Sequence, residues 1–118
     1  MPDTTVPPTL HTPAEVAAAV LDAIESQPDA FDMACWFWKP MGEALAPGET
    51  PACGTVMCIA GWAAHLTGWT LHSTRASKGT QFQSIPDIGR QALGLDNEDL
   101  FHAAPGDAIN ALRDIAGR

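Results

Sequence analysis

The sequence predicts a mainly α fold: a compact bundle of four or five helices around one buried central helix, with room for one small β-hairpin. Three observations support this class. The 118 residues, of which 46% are hydrophobic, fit a single small domain with its own core. A strong helix-start signal stands at Thr12, and residues 55–67 are apolar on almost every side. We therefore expect a flexible tail over residues 1–11 and one helical domain over residues 12–118.

The first helix has the clearest local signal in the sequence. Thr12 can cap it, Pro13 suits its first position, and Glu15 completes a capping box. Pro28 ends it. The core-facing apolar stripe at helical spacing comprises Val16, Val20, Leu21 and Ile24.

The central helix is predicted over residues 55–67, with Thr55 as its cap and Gly68 at its end. A helix that is apolar all round is usually the buried centre of its domain. Gly61 inside it costs about 1 kcal/mol relative to alanine. We therefore expect another helix or an indole ring to approach closely at Gly61.

After the central helix, a small antiparallel hairpin is predicted between residues 69–72 and 81–83, connected by the polar stretch 73–80. Cap and turn residues then predict three more helical segments. These begin near Ser84, Asp96 and Pro105 and contain Ile88, Phe101 and Leu112 respectively.

Residues 31–38 are rich in aromatic side chains and indicate either a short strand or a buried turn. We expect Trp36 and Trp38 to take opposite sides of this segment, so that one of them stays partly exposed. Tryptophans anchor protein interfaces as well as cores, and the core is the commoner place.

The chain is strongly acidic, with 14 Asp and Glu against 6 Lys and Arg and a net charge of −8. Nucleic acids and anionic membranes need cationic protein surfaces, so neither is an expected partner. The charge is concentrated in residues 1–60, which carry eight acids against one lysine. An acidic face formed by Glu15, Asp22 and Glu25 could dock on a basic protein or imitate a nucleic acid, and a merely solvated face is the plainer alternative.

The start of the sequence does not combine a cationic segment with an apolar one, and no apolar run approaches the ~20 residues that span a bilayer. Three cysteines, an odd number, do not make a secreted disulfide framework. We therefore expect a cytoplasmic protein with reduced thiols.

Cys53 and Cys58 are the candidate reactive residues, but they are farther apart than the ligands of typical zinc knuckles. His65 lies roughly 10 Å beyond Cys58 along one helix, nearly too far for shared ligation. We favour no metal and no cofactor, with structural zinc or a Cys53–Cys58 disulfide as alternatives. Because no nucleophile elbow, phosphate loop or paired-carboxylate motif is present, no catalytic residue is predicted and the chain is not expected to be an enzyme.

Four blocks of the sequence form a distinctive set. Phe31-Asp32-Met33 precedes a Cys-Gly-Thr-x-x-Cys-x-x-Gly-Trp block at residues 53–62. The stretch 90–95 and then Asp99-Leu100-Phe101 follow it. Over residues 31–104 the chain resembles small uncharacterised proteins of actinobacteria and their phages, in which the position of Trp62 is sometimes histidine. The resemblance implies a shared fold and supplies no biochemical activity.

Together these features predict a non-enzymatic protein-binding module whose contact surface joins the acidic face to an exposed aromatic side chain. The predicted contact residues are Glu15, Asp22, Glu25, Trp36 and Trp38. The charge asymmetry, the absence of catalytic motifs and the resemblance together favour a phage-derived accessory protein that modulates a host protein in the host cytoplasm. One alternative is a metal-stabilised or redox-sensitive domain that uses Cys53 and Cys58, and another is a structural virion component.

Overall fold

The computed structural model describes residues 12–33, 35–39, 44–51 and 54–118, and the tail predicted over residues 1–11 lies outside them. The described helices are α1 (Pro13–Ser26), α2 (Ile59–Leu66), α3 (Ile85–Leu93) and α4 (Pro105–Ala116). The described strands are β1 (Phe37–Trp38), β2 (Val56–Met57), β3 (Thr70–Leu71), β4 (Arg75–Lys78) and β5 (Gln81–Ser84). Short 3₁₀ helices at Pro28–Ala30 and Asp99–His102 precede β1 and α4.

The fold is mixed α/β, and the prediction of a mainly α bundle is wrong. In the part of the chain that the structure describes, 50% of the residues are helical, with the 3₁₀ helices included, and 16% are in extended pairing, most of it in two small antiparallel sheets. In one sheet β1 pairs with β2, which places Phe37 opposite Met57. In the other sheet β3, β4 and β5 follow one another as an antiparallel meander. Both sheets and all four helices contribute side chains to one hydrophobic core.

The predicted pairing of residues 69–72 with residues 81–83 is wrong because β4 lies between them. β4 has the sequence Arg-Ala-Ser-Lys, and within it only Ala76 is buried. An antiparallel strand with one solvated face can be mostly polar, so this strand resembles a loop in composition. Leu45 extends the sheet beyond β3 through two backbone hydrogen bonds of 2.9 Å with Leu71.

α1 begins and ends where the sequence predicts. The Thr12 hydroxyl accepts a hydrogen bond from the Glu15 amide at 3.1 Å, and the Glu15 carboxylate accepts one from the Thr12 amide at 3.0 Å. This reciprocal pair is the predicted capping box. The predicted apolar stripe is buried, and α1 packs against α2, α3 and α4.

Removing this cap should destabilise the domain measurably. Thr12→Ala is expected to lower the free energy of unfolding by about 1 kcal/mol, because the Glu15 amide loses its acceptor. Urea unfolding followed by circular dichroism measures the change. Thr50→Ala, at an exposed threonine outside the helices and strands, is the control and should change stability by less than about 0.5 kcal/mol. Equal losses in both variants would rule out a capping role.

The central helix begins later than predicted. β2 takes the two residues before Cys58, and α2 begins at Ile59, so the prediction that Thr55 caps the helix is wrong. The Thr55 hydroxyl is buried with no hydrogen-bond partner among the described residues. A two-residue strand leaves no periodic signal, and its residues are as apolar as the helix that follows. α2 is nevertheless buried over most of its length, as predicted, and packs on α1 and α3.

Gly61 lets the segment before β1 pass directly over α2. A Cβ added at Gly61 would collide with the Trp36 carbonyl oxygen and lie 2.7 Å from Met57 Cβ. The predicted close approach therefore exists, but a backbone carbonyl makes it in place of the predicted helix or indole ring. A second close crossing joins α3 to α2, where a Cβ on Gly89 would lie 2.8 Å from Ala60 Cβ.

Candidate functional site

A pocket of about 300 Å³ lies between the segment before β1 and the 3₁₀ helix Asp99–His102. We call it the aromatic pocket, and it is lined by Met33, Cys35, Trp36, Phe101, His102 and Ala103. Backbone hydrogen bonds fix its first wall, since the Asp32 amide donates to Met57 O at 3.1 Å and the Cys35 amide donates to Asp32 O at 3.3 Å. The second wall is anchored by Phe101, which is buried in the core.

Three aromatic rings meet in the aromatic pocket nearly at right angles. The Trp36 ring lies edge-on to Phe101, with centroids 6.1 Å apart, and edge-on to His102 at 5.7 Å. Such T-shaped pairs stabilise beyond the area that they bury. Because the Trp36 backbone also packs over Gly61, the pocket is held in shape by the chain itself.

The rim of the aromatic pocket is acidic. Asp32 acts electrostatically on the thiol that lines the pocket, and Glu98 Oε1 lies 3.7 Å from His102 Nε2. The two segments that build the pocket, residues 28–36 and 95–107, contain six Asp and Glu and no Lys or Arg. The pocket therefore favours cationic over anionic ligands.

The thiol in the aromatic pocket is not an activated nucleophile. Burial raises the pKa of Cys35, the Phe37 backbone amide lowers it, and the charge of Asp32 raises it again, with a net upward shift. An activated thiol needs the opposite shift. Cys35 is free, and with this raised pKa its thiol is protonated at neutral pH.

A second polar cluster fastens residues 44–51 to the core. Lys39 is only 9% exposed, and its Nζ donates to Glu49 Oε2 at 2.8 Å and to Ala44 O at 3.2 Å. Glu49 Oε1 accepts a bond from the Ala46 amide at 3.0 Å. The hydrogen bond from Lys39 lowers the pKa of Glu49. Since the ammonium and the carboxylate satisfy each other, this cluster serves the structure.

His65, inside α2, makes stability depend on pH. Burial lowers the pKa of His65 from its ordinary 6.5, against the opposing carbonyl and carboxylate of Glu49. The unfolded chain then binds the proton more tightly than the folded chain does. The free energy of unfolding is therefore at its full value above the ordinary His pKa of 6.5 and is expected to fall as the pH drops below it, toward the lowered pKa of the folded chain. Urea titrations at about pH 7.5 and pH 5.5 measure the loss.

His65→Leu should lose much of this pH dependence, because leucine does not titrate. The substitution removes no hydrogen bond at Nδ1, which has no partner among the described residues. His72→Gln, at an exposed histidine, is the control and should keep the pH dependence. An unchanged slope in His65→Leu would mean that another group is responsible.

The predicted acidic face is largely engaged within the chain. Glu15 serves the capping box, and Asp22 Oδ1 accepts a hydrogen bond from Arg118 Nη1 at 3.1 Å. Glu25 is exposed near the end of α1. Two of the three carboxylates thus have structural partners, so they are less available to bind a partner protein.

Trp36 and Trp38 differ in how far their side chains are exposed. Phe37 between them is buried, Trp36 is half-buried in the aromatic pocket, and Trp38 is 54% exposed. Trp36 lies at a bend just before β1. Residues two apart along an extended chain point to the same side, so the predicted placement on opposite sides does not follow from strand alternation. The expectation that one indole stays exposed is confirmed at Trp38.

Of the two cysteines predicted to be candidate reactive residues, the structure describes Cys58. Cys58 is buried and free, and burial raises its pKa to about 11 against the lowering effect of the Gly61 and Ala60 amides. Cys53 lies outside the described residues. Within the described ranges, no group of three or more His, Cys, Asp and Glu side chains is placed to hold a metal ion.

Among the residues that line the aromatic pocket, the sequence pointed only to Trp36. A signal for the others did exist, because Phe31-Asp32-Met33 and Asp99-Leu100-Phe101, two blocks that carry the resemblance, each contribute to a wall. Phe82 on β5, which is 61% exposed and lies 6.2 Å from the His72 ring, was also missed. Its polar neighbours give no periodic signal.

The fold and the pocket together define a mixed α/β domain with an acid-rimmed aromatic pocket. Comparisons with protein-family models, with curated proteins and with solved structures found no match for the chain. In the described part of the chain, the helices are too short or too polar to cross a membrane.

Proposed function

We propose that this chain is a non-enzymatic protein-binding module whose contact surface is the aromatic pocket together with the exposed Trp38. The observation that carries the proposal is the pocket: an indole braced by two rings and bordered by carboxylates. It reaches the surface at His102, whose side chain is 63% exposed. Aromatic side chains in well-packed hollows are frequent hot spots of protein interfaces.

Trp38 lies close enough to the aromatic pocket to share its partner. Its Cα is two residues along the chain from that of Trp36, so at most about 7 Å separates the two. Both tryptophans keep part of their surface exposed, while Phe37 ties the segment to the core. One partner surface can therefore fill the pocket and cover Trp38 together.

The aromatic pocket is a better contact surface than the acidic face of α1. The carboxylates of Glu15 and Asp22 are held by internal partners, whereas Glu98 lies beside His102, which lines a hollow. A basic partner segment also suits the net charge of −8. With the resemblance, the proposal extends to a phage-derived accessory protein that modulates a host protein.

The redox or metal alternative depends on Cys53 and Cys58. A buried thiol with a pKa of about 11 is a slow nucleophile, so the structure gives the redox form of this alternative little support. The virion alternative predicts a defined homo-oligomer, which light scattering tests.

A photo-crosslinking amino acid tests the proposed contact surface. At position 103, which lines the pocket, it should give a discrete crosslinked product with a partner protein in the cells that make the chain. At position 110, on the exposed side of α4, it should give none. Trp36→Leu, added to the position-103 chain, should abolish the product. Equal products from both positions, or none from position 103, would defeat the proposal.

A further inference from the structure

We propose, building on the protein-binding function, that the aromatic pocket receives the side chain of an arginine from an exposed segment of the partner. Its size, its ring geometry and its charge each lead to this occupant.

The size of the aromatic pocket suits one side chain. Its volume of about 300 Å³ is at the lower end of the range for small-molecule sites, so one long side chain fits and a helix does not. Its lining includes three aromatic residues, Trp36, Phe101 and His102, and the thioether residue Met33. Such surfaces pack well against the methylene stem of a long basic side chain.

The charge around the aromatic pocket favours a cation. Glu98 and Asp32 stand at its rim, and the segments that build it contain no Lys or Arg. Several basic side chains of the described residues are engaged by partners elsewhere. These are Lys39 with Glu49, Lys78 with the Thr67 carbonyl, Arg90 with Asp87 and Arg118 with Asp22. The Glu98 carboxylate, beside the exposed side chain of His102, is therefore the acceptor that the rim offers to a cation from outside the chain.

Arginine fits this pocket better than lysine. Its planar guanidinium is more weakly hydrated than an ammonium and stacks on aromatic faces. The ring planes of Trp36 and His102 are 83° apart. A guanidinium that stacks on the face of one ring therefore has its N–H edge directed toward the other ring. The Glu98 carboxylate lies beside His102, where it can accept from that edge.

Calorimetric titration of the whole chain with short capped peptides tests the inference. Each peptide is neutral apart from one central residue, which is arginine, citrulline or lysine. Citrulline keeps the shape of arginine and removes the charge. We expect the arginine peptide to bind at least about tenfold more tightly than the citrulline peptide and severalfold more tightly than the lysine peptide.

Matched variants separate the effect of the rim carboxylate on affinity from the effect of the chain's overall charge. Glu98→Gln should weaken binding of the arginine peptide about fivefold. Asp114→Asn removes the same charge about 13 Å along α4 from Pro105 and should leave the affinity within about twofold. Trp36→Leu should abolish binding, and circular dichroism checks that each variant is folded.

The possible outcomes separate this inference from the proposed function. Equal affinities for arginine and citrulline or for arginine and lysine would overturn the inference, as would equal losses in Glu98→Gln and Asp114→Asn. Absence of binding by every peptide would overturn it too, while a crosslink from position 103 would still support the protein-binding function. Conversely, selective arginine binding without any such crosslink would support the pocket's specificity and contradict the protein-binding function.

Discussion

Gly61→Ala is expected to lower the free energy of unfolding by about 3 kcal/mol, at the upper end of the usual cost of overpacking a core. The added methyl group would collide with the Trp36 carbonyl oxygen and lie 2.7 Å from Met57 Cβ. Neither neighbour can move freely, because Met57 is fully buried in β2 and Trp36 is braced by Phe101. The gain of about 1 kcal/mol that alanine brings inside a helix is too small to offset this clash.

Gly106→Ala is the matched control for this substitution. An added Cβ at Gly106, in the first turn of α4, meets no atom within 4 Å in the described part of the chain. This variant should therefore be neutral or more stable by up to about 1 kcal/mol. Urea unfolding compares the two variants. If Gly61→Ala were as stable as the natural chain, the Trp36 backbone could not be packed tightly against Gly61. This wall of the pocket would then not be fixed.

Cys58 is expected to react with an alkylating reagent at least about a hundredfold more slowly in the folded chain than in the unfolded chain. Only the thiolate reacts, and raising the thiol pKa from 9.0 to about 11 lowers the thiolate fraction near pH 8 about a hundredfold. The side chain is also only 1% exposed, so the reagent has little access. Timed treatment with iodoacetamide, followed by mass spectrometry of the peptides, measures the rate at each cysteine.

Cys35 is the internal control for this experiment because its thiol is half-buried at the aromatic pocket. It should be modified in the folded chain before Cys58, and both should react freely in urea. Fast alkylation of Cys58 in the folded chain, or its recovery as a disulfide with Cys53, would favour the redox alternative over the proposed function.

Helices with strong end signals could be predicted from the sequence, because their determinants are local. The capping box at Thr12 and Glu15 is present as expected. Ser84 accepts a hydrogen bond from the Asp87 amide at 3.3 Å and caps α3. Gly94 ends α3 at a φ of +66°, the left-handed conformation for which glycine is favoured.

The short strands could not be predicted because their stability comes from partners distant in sequence. β2 is two apolar residues beside an apolar helix, and its pairing with β1 depends on contacts between Phe37 and Met57. β4 is polar and is held by strands on both sides. Local propensity counts for little in such strands, since cross-strand packing decides them.

The aromatic pocket could be predicted from the sequence only in part, for the same reason. Trp36 stands out by composition, but its ring partners Phe101 and His102 lie more than sixty residues away in the sequence. Gly61, which the sequence marked for a close approach, fixes the Trp36 backbone. Asp22 on the acidic face looked unpaired because the sequence does not show that Arg118 reaches it.

The most direct test of the central claim is to see which indole responds to a ligand. The four tryptophans give separate indole N–H signals in a ¹H–¹⁵N NMR spectrum, assigned by single Trp→Phe variants. On titration with the arginine peptide, we predict a saturable shift of the Trp36 signal while those of Trp62 and Trp69, which are buried, stay in place. A stationary Trp36 signal, or shifts of equal size at Trp62 and Trp69, would contradict the claim that the aromatic pocket is the binding site.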